Sequence, residues 1–564
     1  MESKIICTIC PELRPSDLFD ALWFSVVNRM IMLSFLRDYK RLLFLSVATA
    51  VFCGHIVFQA MDRSAFKPYW RDESNSLVNA CFTSYQKMFE VGAISQSSPN
   101  PIYFAFQKEV VASNRNFGPG LMVKYRAVSI GAAAMLAFII LWTIGWRLGV
   151  PWGLFGMLAV TQKEMFQRYA AEDRPYMLWI SFFSLVLLLG ANISSKYSKD
   201  RHRLLYWFYF VAMLGLVLVA APGFMQVIAS GLTVLIFWFF HDRKRNFTDR
   251  SSSFLLSAVI VSAGLGYHYA RVSKGMLPPD VGHYDLKNRQ DYEMILQVLR
   301  IFISFDKPHN AMFSFFVLLG LFFPVMAKFF PRIKKVIIFE INKVFLPDAL
   351  RFSYALWIAI WAQLSVTVFI GVAVYVYHYH FVPRVFLQLI VLRGVAASLG
   401  LFVAVGITVN ILNRFWPNIR IRPVTIVKGA VAVVLIVLSF GYLAALDKKL
   451  KDEKINFQQE YARVHAEKPC PVFNGKVHLL FDRSTPDIAN QTSMNFVVEV
   501  GREIERCGKK SEEGNTYVLP KVTTDALKTD GDYWRYQFEL NTSSIMPDSR
   551  LFGPIHLCGS VVTL

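Results

Sequence analysis

One short stretch, Tyr69-Trp70-Arg71-Asp72-Glu73-Ser74, carries two adjacent carboxylates beside a cation and an aromatic pair. A carboxylate can take the proton from a hydroxyl or amine nucleophile when its position and pKa suit. Adjacent side chains of an extended segment point to opposite sides, so one of Asp72 and Glu73 faces a substrate. The structural alternative is that Asp72 pairs with Arg71 and caps a helix starting at Ser74. A second set is Glu172-Asp173-Arg174-Pro175-Tyr176, with Lys163 and Arg168 just before it. Pro175 suits the first turn of the apolar run that follows. A guanidinium at that point can grip a phosphate through two parallel hydrogen bonds; an Arg with a Tyr is equally a common anchor at a membrane surface. A third set, Tyr377-His378-Tyr379-His380-Phe381-Val382-Pro383-Arg384, brings another arginine to the start of an apolar run. Its two histidines either bind a metal or simply hydrogen-bond.

The elements that must position these residues are membrane spans. The chain has 564 residues, is 54% hydrophobic and 15% aromatic, and has a mean hydropathy of +0.38. That is too apolar for an ordinary soluble domain. A span needs ~20 mostly apolar residues. Runs of that kind fall near residues 42–60, 125–146, 150–166, 176–193, 204–221, 223–240, 253–270, 311–327, 353–376, 385–412 and 424–446, about eleven spans. The net charge of +20 fits basic residues held in cytoplasmic loops, not nucleic-acid binding. Loops 194–203, 241–250, 328–351 and 413–423 are each rich in Lys and Arg, and all four fall on one side of this count. That side is expected to be cytoplasmic. The outer side then holds loop 61–124, residues 171–176, loop 271–310, residues 377–384 and the C-terminal region.

The expected architecture is a polytopic α-helical membrane protein. Residues 1–40 form an N-terminal segment lying in the interface on the cytoplasmic side. Residues 41–447 form the transmembrane domain, and 448–564 a small outer α+β domain. In that domain 477–481, 516–519, 534–540 and 555–564 read as strands, and 494–506 as an amphipathic helix. Residues 290–305, also apolar at helical spacing, read either as a lid on the membrane surface or as a plain connector. Of the cysteines, Cys470, Cys507 and Cys558 lie in the outer domain, where two could pair and leave one free. The chain has no G-x-x-x-x-G-K-[ST], H-E-x-x-H or G-x-S-x-G, which argues against a P-loop ATPase, a zincin or an α/β-hydrolase.

An Asp-Glu in the first outer loop, a Glu-x-Arg-Pro-Tyr before a span and a Pro-Arg entering a late span resemble, in that order, the GT-C membrane glycosyltransferases. The closest look is to the lipid A aminoarabinose transferases and relatives of protein O-mannosyltransferases, over roughly residues 42–412. Pro101 and Tyr103 match part of that family's His-Pro-Pro-Leu-Tyr-Tyr run, while Pro99 and Asn100 depart from it. The resemblance implies that Asp72 is the catalytic carboxylate, with Glu73 in support. Arg174 and Arg384, with Lys163 and Arg168 beside them, would hold the phosphate of a polyprenyl-phosphate sugar donor. Tyr103, Glu172, Tyr176 and His380 would line the substrate site. No metal ligand is assigned; a divalent cofactor is left open. The sugar would pass, with inversion, to a glycan, lipid or protein acceptor on the periplasmic face of a bacterial inner membrane. Two other functions remain in view: a flippase of lipid-linked saccharides, and a polymerase or ligase using a lipid diphosphate donor.

Overall fold

In hydrocarbon every backbone N–H and C=O must be satisfied within the segment or the bundle, so the apolar runs fold as helices. The computed structural model describes residues 15–66, 73, 76, 85, 101–113, 121–195, 203–241, 250–276, 289–329, 347–376, 383–415, 423–465, 475–482, 528–530, 533–540, 555–557 and 560–562. Helix α1 (Pro15–Phe66) is followed by α2 (Pro101–Ser113), α3 (Leu121–Tyr125), α4 (Ala127–Arg147), α5 (Val150–Thr161), α6 (Glu164–Ala170) and α7 (Tyr176–Ser195). Then come α8 (Arg203–Val219), α9 (Gly223–His241), α10 (Arg250–Met276), α11 (Arg289–Phe302), α12 (Pro308–Phe329) and α13 (Pro347–Val376). A 3₁₀ turn (Pro383–Phe386), α14 (Gln388–Phe415) and α15 (Pro423–His465) complete the helices.

The expected apolar runs fall largely on helices, but 150–166 is divided between α5 and α6 and 204–221 ends with α8 at Val219. Among the described residues six helical segments are long and apolar enough to cross a membrane: Arg41–Phe66, Ala127–Arg147, Tyr176–Ser195, Asp348–Val372, Arg384–Val409 and Gly429–Asn456. Val150–Thr161, Leu204–Val219, Gly223–Phe239, Ser252–His268 and Pro308–Phe322 are shorter apolar helices. The N-terminal segment and the first span are one unbroken helix, α1. The last span likewise runs on to His465, past the expected boundary at 447. That extension pairs with the end of α1: Lys454 Nζ lies 2.7 Å from Asp62 and Arg63 donates to Glu453 at 2.7 Å.

Helix α14 is the axis of the bundle: 83% of its apolar window is buried, against 11% for α15. Small residues let its neighbours approach. A Cβ on Gly400 would stand 1.8 Å from the Phe316 carbonyl of α12, and one on Gly156 of α5 would stand 2.9 Å from the Gly394 carbonyl. Helices that meet backbone to backbone in this way leave no room for a side chain, as is common where lipid replaces water.

In the C-terminal region β1 (Gly475–Asp482), β2 (Lys528–Asp530) and β3 (Tyr533–Leu540) form an antiparallel sheet in the order β1-β3-β2, with Val477 opposite Phe538. The expected strands 477–481 and 534–540 fall within β1 and β3. The stretch 555–564, expected as one strand, is instead two: β4 (Ile555–Leu557) pairs antiparallel with β5 (Ser560–Val562). Expected strand 516–519 and helix 494–506 lie outside the described residues.

Replacing Gly400 with valine should force α12 and α14 apart, at about 1–3 kcal/mol as for other overpacked interiors. Gly264, whose added Cβ would meet nothing within 4 Å, is the control. Thermal unfolding in nanodiscs should show a clear drop for Gly400→Val and none for Gly264→Ala.

Candidate active site

Glu73 is fully buried. Arg126 grips its carboxylate with both ends of the guanidinium, Nε at 2.9 Å and Nη2 at 3.1 Å. The same oxygen that receives Nε also accepts the backbone N–H of Asp173 at 2.7 Å. Arg126 Nη1 donates to the Ser64 carbonyl near the end of α1, at 2.9 Å. One ion pair therefore joins α1, the 69–74 stretch, the start of α4 and the 172–176 segment. Its geometry is the planar fork-to-fork contact that suits arginine and not lysine.

The Asp173 carboxylate accepts the Tyr103 hydroxyl on one oxygen and Gln107 Nε2, at 2.9 Å, on the other. Gln107 Nε2 also donates to the Tyr125 carbonyl at 2.7 Å. Helix α2 is thereby fastened over the same corner. Burial pushes the Asp173 carboxyl well above the usual carboxylate range, against the Tyr103 hydrogen bond and the Arg126 and Arg174 charges; the Glu73 charge adds to the rise.

Beyond this knot lies a cationic rim. Arg174 Nη2 is 3.2 Å from the Tyr176 hydroxyl and Nη1 is 3.4 Å from Ser76 Oγ, with the guanidinium 5.3 Å from the Tyr176 ring centroid. Ser129 Oγ donates to the Arg174 carbonyl at 3.0 Å. Tyr176 packs edge-on against Tyr169 of α6, centroids 4.8 Å apart. Arg168 donates to the buried Glu172 at 2.8 Å. Burial first, and the neighbouring Tyr176 and Glu172 next, push the Tyr169 phenol up; the Arg168 and Arg384 charges oppose that rise. Arg168 lies over the Tyr169 ring at 5.9 Å, as Arg174 lies over Tyr176. Guanidiniums beside two phenols are groups that could hydrogen-bond a phosphate ester.

Other expected residues sit elsewhere. Tyr103 is fully buried with its hydroxyl on Asp173, so it bears on the rim through that side chain. Glu73 is held by Arg126. Lys163 belongs to a neighbouring group: its Nζ donates to the Arg300 carbonyl of α11 at 2.7 Å. Burial lowers its ammonium to about 7, the Arg393 charge adds to that, and Asp306 opposes it. Asp72 and His380 lie outside the described residues. Among the described residues no three His, Cys, Asp or Glu side chains cluster as metal ligands.

Two structural cations were missed. Arg126 had the signal that singled out Arg174 and Arg384, an arginine at the threshold of an apolar run. Arg393, fully buried in α14, had a stronger one: a charge inside an apolar run is costly and marks a specific partner. Its Nη1 donates to the Phe302 carbonyl at 2.6 Å.

Removing one member of the buried pair should cost about 3–5 kcal/mol by stranding the other charge. Glu73→Gln and Arg126→Met should each lower the unfolding midpoint strongly, and the double variant by less than their sum; additive losses would contradict the coupling. Unfolded lysine titrates near 10.4, well above Lys163 in the fold. The unfolded chain therefore holds the proton more tightly between about 7 and 10, and stability should rise with pH across that window. Unfolding midpoints of Lys163→Met should show a flatter rise.

No protein-family model and no curated protein matches the chain. Solved structures similar to it include ArnT from Cupriavidus metallidurans in the apo state, at 12% identity and a TM-score of 0.39, covering 81% of this chain and 76% of that one. The same protein bound to undecaprenyl phosphate is similar at 11% identity and a TM-score of 0.38, covering 83% and 78%.

Proposed function

We propose that the chain transfers a sugar from a polyprenyl-phosphate carrier to an acceptor on the outer face of a bacterial inner membrane. The observation that carries this reading is the placement of Arg168 and Arg174 over the Tyr169–Tyr176 pair, with Glu73 held by the Asp173 backbone N–H beside them. Displacement at an anomeric carbon needs a base on one side and a stabilised phosphate leaving group on the other. The arginines supply the second. Asp72, the covalent neighbour of the anchored Glu73, supplies the first, and Glu73 acts as a positioning residue. In-line displacement of this kind inverts the anomeric centre. The four basic loops support an outward-facing site.

A flippase would be expected to carry its charges near the bilayer midplane. Here the rim cations stand at helix ends, which favours surface chemistry. The test is release of undecaprenyl phosphate from undecaprenyl-phosphate glucose, galactose and mannose by the protein in nanodiscs with membrane extract as acceptor. Asp72→Asn should lower kcat by at least a hundredfold with little change in donor KM. Arg174→Lys and Arg384→Lys should raise KM and lower kcat, since lysine loses the bidentate grip. Full turnover in Asp72→Asn, or transbilayer movement of the donor with no sugar transfer, would refute the assignment.

A further inference from the structure

Three glutamines lie in the bundle just beneath the cationic rim. Gln388 opens α14 four residues after Arg384, Gln226 is in the first turn of α9, and Gln363 is mid-way along α13. All three are at most 2% exposed. They are linked. Gln363 Nε2 donates to the Gln226 carbonyl at 2.8 Å, and Gln388 Nε2 lies 3.4 Å from Thr367 Oγ1, whose hydroxyl donates to the Gln363 carbonyl at 2.8 Å. Trp179, one turn beyond Pro175, donates its indole N–H to Gln226 Oε1 at 3.1 Å. These partners fix how the amides of Gln226 and Gln363 are turned. What remains is one donor, Gln226 Nε2, and two acceptors, Gln363 Oε1 and Gln388 Oε1, all buried without a hydrogen-bond partner.

An apolar bundle has no reason to hold three unmet amide groups. Leucine or methionine would fill the same space without the desolvation cost. Neutral donors and acceptors placed together are the chemistry that recognises hydroxyls, because a buried amide pairs with an O–H in either sense. A site built to hydrogen-bond a hydroxyl also rejects analogues that lack it. Gln388 follows Arg384 by four residues, and Trp179, the partner of Gln226, follows Arg174 by five.

We propose that Gln226, Gln363 and Gln388 form the sugar-reading floor of the donor site, taking ring hydroxyls of the carrier-linked sugar when the mouth opens. This rests on the donor assignment made above. The sugar then points inward from the phosphate, and the unmet amides are completed by substrate.

The test compares binding of undecaprenyl phosphate with binding of undecaprenyl-phosphate glucose, galactose and mannose, read by ligand-induced thermal stabilisation of the full chain in nanodiscs. The wild type should bind at least one sugar-bearing carrier tenfold or more tighter than the bare phosphate. Gln388→Met and Gln226→Met should keep the bare-phosphate affinity and lose that tenfold advantage. Without ligand, Gln388→Met should unfold no lower than the wild type, since a stranded acceptor has been replaced by an apolar group, whereas Gln226→Met also removes the acceptor of the Trp179 indole N–H and should unfold lower. Retention of the sugar advantage in both variants would overturn the proposal. So would a fall in the unliganded unfolding midpoint of Gln388→Met with no change in sugar preference, the signature of a buried water held by the amide. A wild type that binds the bare phosphate and gains nothing from the sugar would overturn the glutamine proposal alone. One that binds neither carrier would overturn the donor assignment beneath it.

Discussion

The Glu73–Arg126 ion pair is the constraint on which the outer end of the bundle depends. Polar loops cannot be held in place by the hydrophobic effect that packs the spans, so their register must come from directed bonds. This pair supplies three at once: Glu73 meets Arg126 and the Asp173 N–H, and Arg126 reaches the Ser64 carbonyl. Both side chains are fully buried. In such a setting a charge without its partner is far more costly than the intact pair is favourable, so the arrangement is all or nothing. The consequence for chemistry is positional. A carboxylate stretch more than fifty residues before the second span is held against the segment that launches α7.

Apolar surface reaches close to the turn that carries Arg384. Val368, Phe369 and Val372 of α13 are exposed by 66%, 61% and 53%, as lipid-facing residues should be. Gly371, between them, lies next to Phe386, two residues after Arg384. The 3₁₀ turn that carries Arg384 is therefore level with an apolar band. Charges beside such a band act in a weaker dielectric than fully hydrated ones, which strengthens their interactions. It also explains why the cations are mostly neutralised or shared: Arg168 by Glu172, Arg174 by the faces and hydroxyls of Tyr176 and Ser76.

Much of the bundle was legible in the sequence because lipid imposes a simple rule, one helix per long apolar run. Arg168, Arg174 and Arg384 stood out for a related reason, as cations near the thresholds of those runs. What pattern could not reveal was pairing. Nothing in the spacing of Glu73 and Arg126, separated by 53 residues, connects them. Asp173 stood at the unspecified position of the Glu-x-Arg-Pro-Tyr motif, yet its carboxylate accepts Tyr103 and Gln107 and its backbone N–H donates to Glu73. The glutamines were invisible for the opposite reason: neutral residues inside apolar runs do not disturb hydropathy. The ends of α1 and α15 were misplaced because a helix stabilised by ion pairs, such as Lys454 with Asp62, continues beyond the point where its hydrophobicity stops.

The most direct measurement is an experimental structure of the chain in nanodiscs with undecaprenyl phosphate bound. The phosphate should sit within hydrogen-bond reach of Arg174 and Arg384, against the Tyr169–Tyr176 pair, with the Asp72 carboxylate about one sugar ring away. A phosphate seated on other residues, or Asp72 turned away from it across the bundle, would contradict the assignment.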